Sequence, residues 1–208
     1  MRAFGQPAHA FDYKTIGKKH GIPTMNLRAS KKGEKLTTLD GKNHVLPGDD
    51  IVIEDGSGKL IDLCGIMGAQ NSSIRNETTQ VVLFLQTYDP IHIRKTSMAL
   101  AHRTEAGSLF EKGTDPELVL PAFTKGIELM IELTGGTVAS KLYDLSPRQY
   151  KAARVSVKLQ KLTNYIGTSL SEPELTEILT PLGLTPTITE DSLSISVPSY
   201  RRDITIDV

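Results

Sequence analysis

The chain of 208 residues has no tryptophan and a single cysteine, Cys64, and only 5% of its residues are aromatic. With no second cysteine an internal disulfide is excluded, which fits a reducing compartment such as the cytosol. Five scattered histidines and one cysteine do not form the paired spacings of a zinc site. No apolar run approaches the length of a membrane span, and the N-terminus lacks the pattern of a signal peptide, so a cytoplasmic protein with no membrane partner is expected. Neither sign of charge is in excess: 24 Lys and Arg face 24 Asp and Glu. That balance argues against a protein that holds nucleic acid by bulk electrostatics, while leaving room for a local basic patch.

A hydrophobic content of 38% and a charged content of 23% suit a globular protein with a mainly aliphatic core, in one or two domains. Residues 103–116, R-T-E-A-G-S-L-F-E-K-G-T-D-P, concentrate charge and hydroxyl between two apolar-periodic segments. Asp115-Pro116 is a start signal for a helix running to about Leu133, with Leu120, Phe123, Ile127, Met130 and Ile131 at helical spacing and Gly135-Gly136 as its stop. Asp89-Pro90 starts another helix. From Thr24 to Leu63 short alternating segments read as a meander of strands, with Asp40-Gly41 and Gly56-Ser57-Gly58 at its turns. Val81–Leu85 is continuously apolar, which predicts a strand buried on both faces. Thr137–Leu145 reads as a last strand, and Ser146-Pro147 opens a linker.

Beyond the linker the pattern changes. Arg154–Val157 reads as a strand, Leu159, Leu162 and Ile166 as a helical face, Ser171 with Glu174 as a capping box, and Thr185–Thr189 with Leu193–Val197 as a hairpin. Pro198–Ile204 leads toward a further helix. This pattern resembles a small helix-plus-hairpin module of winged-helix type. The abrupt opening, with Phe4 and Phe11 flanking Gly-Gln-Pro, suggests a piece of a longer protein.

Several strings occur together and in order: G-Q-P-A-H-A-F-D (residues 5–12), G-E-K-L-T-T-L-D-G (33–41), G-I-M-G (65–68), D-P-I-H-I-R-K-T-S (89–97), the 103–116 segment and P-S-Y-R-R-D-I (198–204). They resemble the B3/B4 editing domain and the B5 domain of bacterial phenylalanyl-tRNA synthetase beta subunits. The resemblance implies an α+β fold. A B3/B4 domain over residues 1–146, with a mixed sheet or partly closed barrel flanked by helices, is followed by a linker (147–153) and a small winged-helix-like B5 module (154–208) truncated at its C-terminal end. It implies partnership with phenylalanine tRNA and with the synthetase alpha subunit. The ATP and Mg2+ of the full enzyme are expected to be bound elsewhere, with no cofactor on this fragment.

In that family the B3/B4 domain hydrolyses tyrosine mis-esterified to phenylalanine tRNA. Carried over by position, the resemblance gives catalytic roles to His9, which helps hold the attacking water or the tRNA terminus, and to Thr104, which with Ala106 governs substrate size and water placement. Gly68, Phe84, Thr104 and Ala106 line the substrate pocket. Phe84 stands where the family has a glutamate that reads the tyrosine hydroxyl, and Leu109 where it has an arginine. Asp203 matches the first acidic Mg2+ position, in a site that one carboxylate cannot complete. By residue type alone, His9 also reads as a buried structural histidine and Asp203 as an N-terminal helix residue. The competing reading of the whole is a non-catalytic tRNA-positioning or subunit-scaffold module with a degenerate pocket, supported by Phe84.

Overall fold

A computed structural model describes residues 3–145 and 151–205, and the chain divides into two compact units, Met1–Leu142 and Tyr143–Val208. The fold is α+β, with several small sheets, and every strand pairing among the described residues is antiparallel. None of these sheets closes into a barrel.

In the first unit β1 (His9–Asp12) is followed by the short pair β2 (Lys18–Lys19) and β3 (Ile22–Pro23). Then come β4 (Met25–Ala29), the hairpin β5 (Lys35–Thr37) and β6 (Asn43–Val45), β7 (Ile51–Asp55), β8 (Leu60–Leu63), β9 (Met67–Gly68) and β10 (Val81–Phe84). Strands β4, β7, β8 and β9 form the central sheet in that order, and β1 pairs with β10 in a separate ladder. The β5–β6 hairpin turns at Asp40-Gly41 as its sequence predicts, with Gly41 at φ +80°. The β7–β8 turn is held by Asp55, whose carboxylate accepts hydrogen bonds from the backbone N–H groups of Gly17, Ser57 and Lys59.

Helices α1 (Pro90–Ala99), α2 (Glu105–Phe110) and α3 (Val119–Thr134) complete the unit. Asp89 caps α1 through the His92 N–H at 2.9 Å, and α3 ends on Gly135 in the left-handed region. The core has two parts. One gathers Leu36, Leu46, Val52, Leu63, Ile66, Ile93 and Phe110; the other gathers Phe11, Ile16, Ile53, Ile61 and Cys64. The aliphatic side chains dominate, as the scarcity of aromatics requires.

Two local expectations are corrected, over residues 81–85 and 137–145. Strand β10 is not buried on both faces: it has β1 as its strand partner, and Val81 remains 44% exposed. No residue of α3 is fully buried, although the helix is strongly apolar along one face. Thr137–Leu145 contains no strand, and Tyr143 and Leu145 are exposed.

The second unit holds β11 (Ala153–Lys158), α4 (Leu159–Ile166), α5 (Glu172–Leu179), β12 (Thr185–Ile188) and β13 (Ser192–Val197), with strand order β11-β13-β12. Val157, Leu175 and Leu193 form its core. The capping box at α5 is present: the Glu174 carboxylate accepts from the Ser171 N–H at 2.7 Å. Gly167, at φ +84°, stops α4. The expected linker over 147–153 falls mostly outside the described residues. Arg202 and Asp203 form a turn, and the helix expected after Ile204 falls mostly outside the described residues. No helix among the described residues is long and apolar enough to cross a membrane.

Candidate functional site

Pairing of β1 with β10 sets His9 directly opposite Phe84. On the central sheet, β8 pairs with β9 so that Asp62 lies opposite Gly68. Cross-strand partners project to the same face, so the Asp62 carboxyl and the bare Gly68 backbone share one side of the sheet. The His9 imidazole covers that glycine: a Cβ built at position 68 would lie only 2.6 Å from Nε2. Glycine is required here for close approach rather than for an unusual φ. The imidazole also meets the Phe11 ring edge-on, with centroids 4.3 Å apart.

Around this contact lies a cleft of about 70 Å³, partly open, which includes His9, Asp62, Gly68, Phe84, Gln86 and Ala106 in its lining. Four of the expected residues, His9, Gly68, Phe84 and Ala106, therefore meet at one place. Thr104 does not line the cleft. It is the N-cap of α2, where its hydroxyl accepts from the Gly107 N–H at 2.9 Å and donates to the Ile66 carbonyl at 2.9 Å. The hydroxyl proton and one of its lone pairs are thereby committed. Its effect on the cleft is to pin the start of α2 onto the Gly65–Gly68 segment, which turns Ala106 toward the opening.

The polar groups of the cleft are incompletely paired. His9 Nε2 and Gln86 Oε1 are buried and have no hydrogen-bond partner among the described residues. Burial lowers the His9 pKa, which favours the neutral ring, able to offer a lone pair or a single N–H. Asp62 is buried, and burial pushes its carboxyl up to about 7, against a smaller opposing pull from the Cys64 thiol. Burial, followed by the charge of Asp62, pushes the Cys64 thiol well above its ordinary value. That cysteine is a core group and not a nucleophile.

Sequence reasoning passed over Asp62 and Gln86. A signal was available for the first: an isolated carboxylate inside the apolar strand L-I-D-L-C must find a partner or serve a purpose. Nothing local distinguishes Gln86.

Asp203 lies in the second unit. Both its carboxylate oxygens accept hydrogen bonds from Arg201, at 3.0 Å and 2.8 Å, and this pairing lowers its pKa. No cluster of three or more metal-ligating side chains occurs among the described residues. One carboxylate already engaged by a guanidinium does not fit Mg2+, which takes octahedral oxygen ligands. A larger concavity of about 810 Å³ runs beside the β5–β6 hairpin, with Lys35, Asn43, Asn71 and Arg75 among its lining. It contains none of the unpartnered buried polar atoms.

Family models match two stretches of the chain: a B3/4 domain over residues 1–135 and a tRNA synthetase B5 domain over residues 155–208. Among curated proteins, the phenylalanine–tRNA ligase beta subunit of Carboxydothermus hydrogenoformans is 35% identical over 98% of this chain and 25% of its own length. The beta subunit of Lactococcus lactis subsp. lactis is 36% identical over 100% of this chain and 25% of its own. The chain thus spans about a quarter of the length of these relatives. A more distant likeness, 16% identical with a TM-score of 0.45, covers 98% of this chain and 57% of an N-terminal fragment of the phenylalanyl-tRNA synthetase beta subunit from Pyrococcus horikoshii. By the two matched domains and their order, the chain belongs to the phenylalanine–tRNA ligase beta-subunit family, of which it carries the B3/4 and B5 regions.

Proposed function

We propose that the first unit is a tRNA-editing site that hydrolyses tyrosine wrongly esterified to phenylalanine tRNA, within a ligase whose alpha subunit, ATP and Mg2+ supply the forward reaction. The observation that carries this reading is the buried, unpartnered Nε2 of His9, held over Gly68 and facing a cleft. An aminoacyl ester is already activated, so its hydrolysis needs chiefly a placed water and donors for the developing oxyanion. A neutral imidazole with a free nitrogen can orient that water. The need for a second site is physical: an apolar pocket shaped for a phenyl ring rejects an added hydroxyl by only about a hundredfold.

One observation favours the non-catalytic alternative. The cleft is about 70 Å³, whereas an apolar cavity that admits benzene measures about 150 Å³. A tyrosyl ring therefore enters only if the partly exposed Phe84 ring swings aside, or if the ring rests in the open mouth with its hydroxyl inward. The test is deacylation of phenylalanine tRNA charged with tyrosine, using the full chain. Editing predicts release faster than with a His9→Ala variant that melts at the same temperature. Equal rates would leave a tRNA-positioning or scaffold role.

A further inference from the structure

The acceptors in the cleft point to a specific ligand group. Asp62 presents a carboxyl from the central sheet, opposite Gly68 in the ladder and therefore on the side covered by His9. Gln86 comes from the segment after β10, which is fixed because the Gln6 amide donates to the Gln86 carbonyl at 2.6 Å. Its own side-chain oxygen is buried and unpartnered. Phe84, in the same lining, offers no acceptor. A carboxyl and an amide oxygen left without a strong donor are costly in a folded interior unless a ligand supplies one.

We propose that Asp62, assisted by Gln86, is the specificity-determining residue that accepts the hydroxyl of a bound hydroxyphenyl side chain. The assignment rests on the editing reading above and adds to it the residues that separate tyrosine from phenylalanine. The aryl ring lies along Phe84 and Ala106 toward the open mouth, with its O–H directed to the buried carboxyl. An unhydroxylated ring leaves the Gln86 oxygen unpaired and the carboxyl with only the weak Cys64 thiol as donor, so the penalty falls on phenylalanine. Cys64 and Tyr88, which interact with the carboxyl and with one another beneath it, hold its position.

Binding of two non-hydrolysable probes to the full chain tests this. They are adenosine 3′-amides carrying tyrosyl or phenylalanyl groups, and the quantity read is their affinity ratio. The wild type is expected to favour the tyrosyl probe by about 10- to 100-fold, the worth of a hydrogen bond to a buried carboxyl. Asp62→Val should bring the ratio close to one. Gln86→Met, at a less buried position, should lower it severalfold and keeps the test available if Asp62→Val does not fold. A ratio unchanged in every folded variant would overturn the assignment while leaving editing intact. Equal binding of both probes by the wild type would also overturn it, with deacylation still deciding the editing reading. Failure of the wild type to bind either probe removes the cleft as an aminoacyl site and the assignment with it.

Discussion

Replacement of Gly68 by alanine tests the contact on which the cleft is built. The added Cβ would lie 2.6 Å from His9 Nε2, where ordinary packing between such atoms needs about 3.5 Å. The imidazole must therefore retreat by about 1 Å. Phe11, 4.3 Å away between ring centroids, blocks one direction, and the His9–Phe84 ladder restrains the backbone. Overpacking of this kind costs about 1–3 kcal/mol. In a chain of this size each kcal/mol lowers Tm by about 2–4 °C, so a loss of several degrees is expected by calorimetry. A second signature is electrostatic. Burial holds the His9 pKa below 6.5, so pushing the ring toward water should return it upward. NMR titration of the His9 side chain reads this directly. If Gly68→Ala melts with the wild type and the His9 titration stays in place, the imidazole does not rest on Gly68 and the site as described is wrong.

Two further predictions concern the cap of α2 and the buried histidine pair. Thr104→Val keeps the shape but leaves the Gly107 N–H and the Ile66 carbonyl without their partner, for a loss of about 1–3 kcal/mol in urea unfolding. Thr104→Ser should recover most of it, and an unshifted midpoint for Thr104→Val would show that the hydroxyl does not pin α2. His44 should make the fold acid-sensitive. Its ring is buried against His102 at 2.8 Å, and burial followed by the charge of His102 lowers its pKa, with Asp40 opposing and Lys42 adding a smaller push. The unfolded chain then binds more protons just below pH 6.5, so stability is full above that pH and falls as the pH drops through the window. Tm measured from pH 7.5 to 5.5 should fall less steeply in His44→Gln; parallel profiles for the two proteins would refute this.

Features set by neighbours along the chain were legible in the sequence, because their physics is local. Asp89-Pro90, Asp115-Pro116 and the Ser171–Glu174 box satisfy free N–H groups within one turn, and each appears where its spelling places it. Gly135 and Gly167 end helices for an equally local reason, the low cost of a left-handed residue without a Cβ. The readings of Val81–Leu85 as a doubly buried strand and of Thr137–Leu145 as a last strand failed because burial and ladder partners belong to the facing surface and not to the segment. The first obtained a partner on one side only, and the second obtained no ladder. The motifs named His9, Gly68, Phe84, Thr104 and Ala106, but could not say that Thr104 would spend its hydroxyl on a helix cap. Nor could they show that Asp62 and Gln86 would face the same opening. Those outcomes depend on strand register and on the docking of α2, through contacts between residues far apart in sequence, and only the folded chain fixes them.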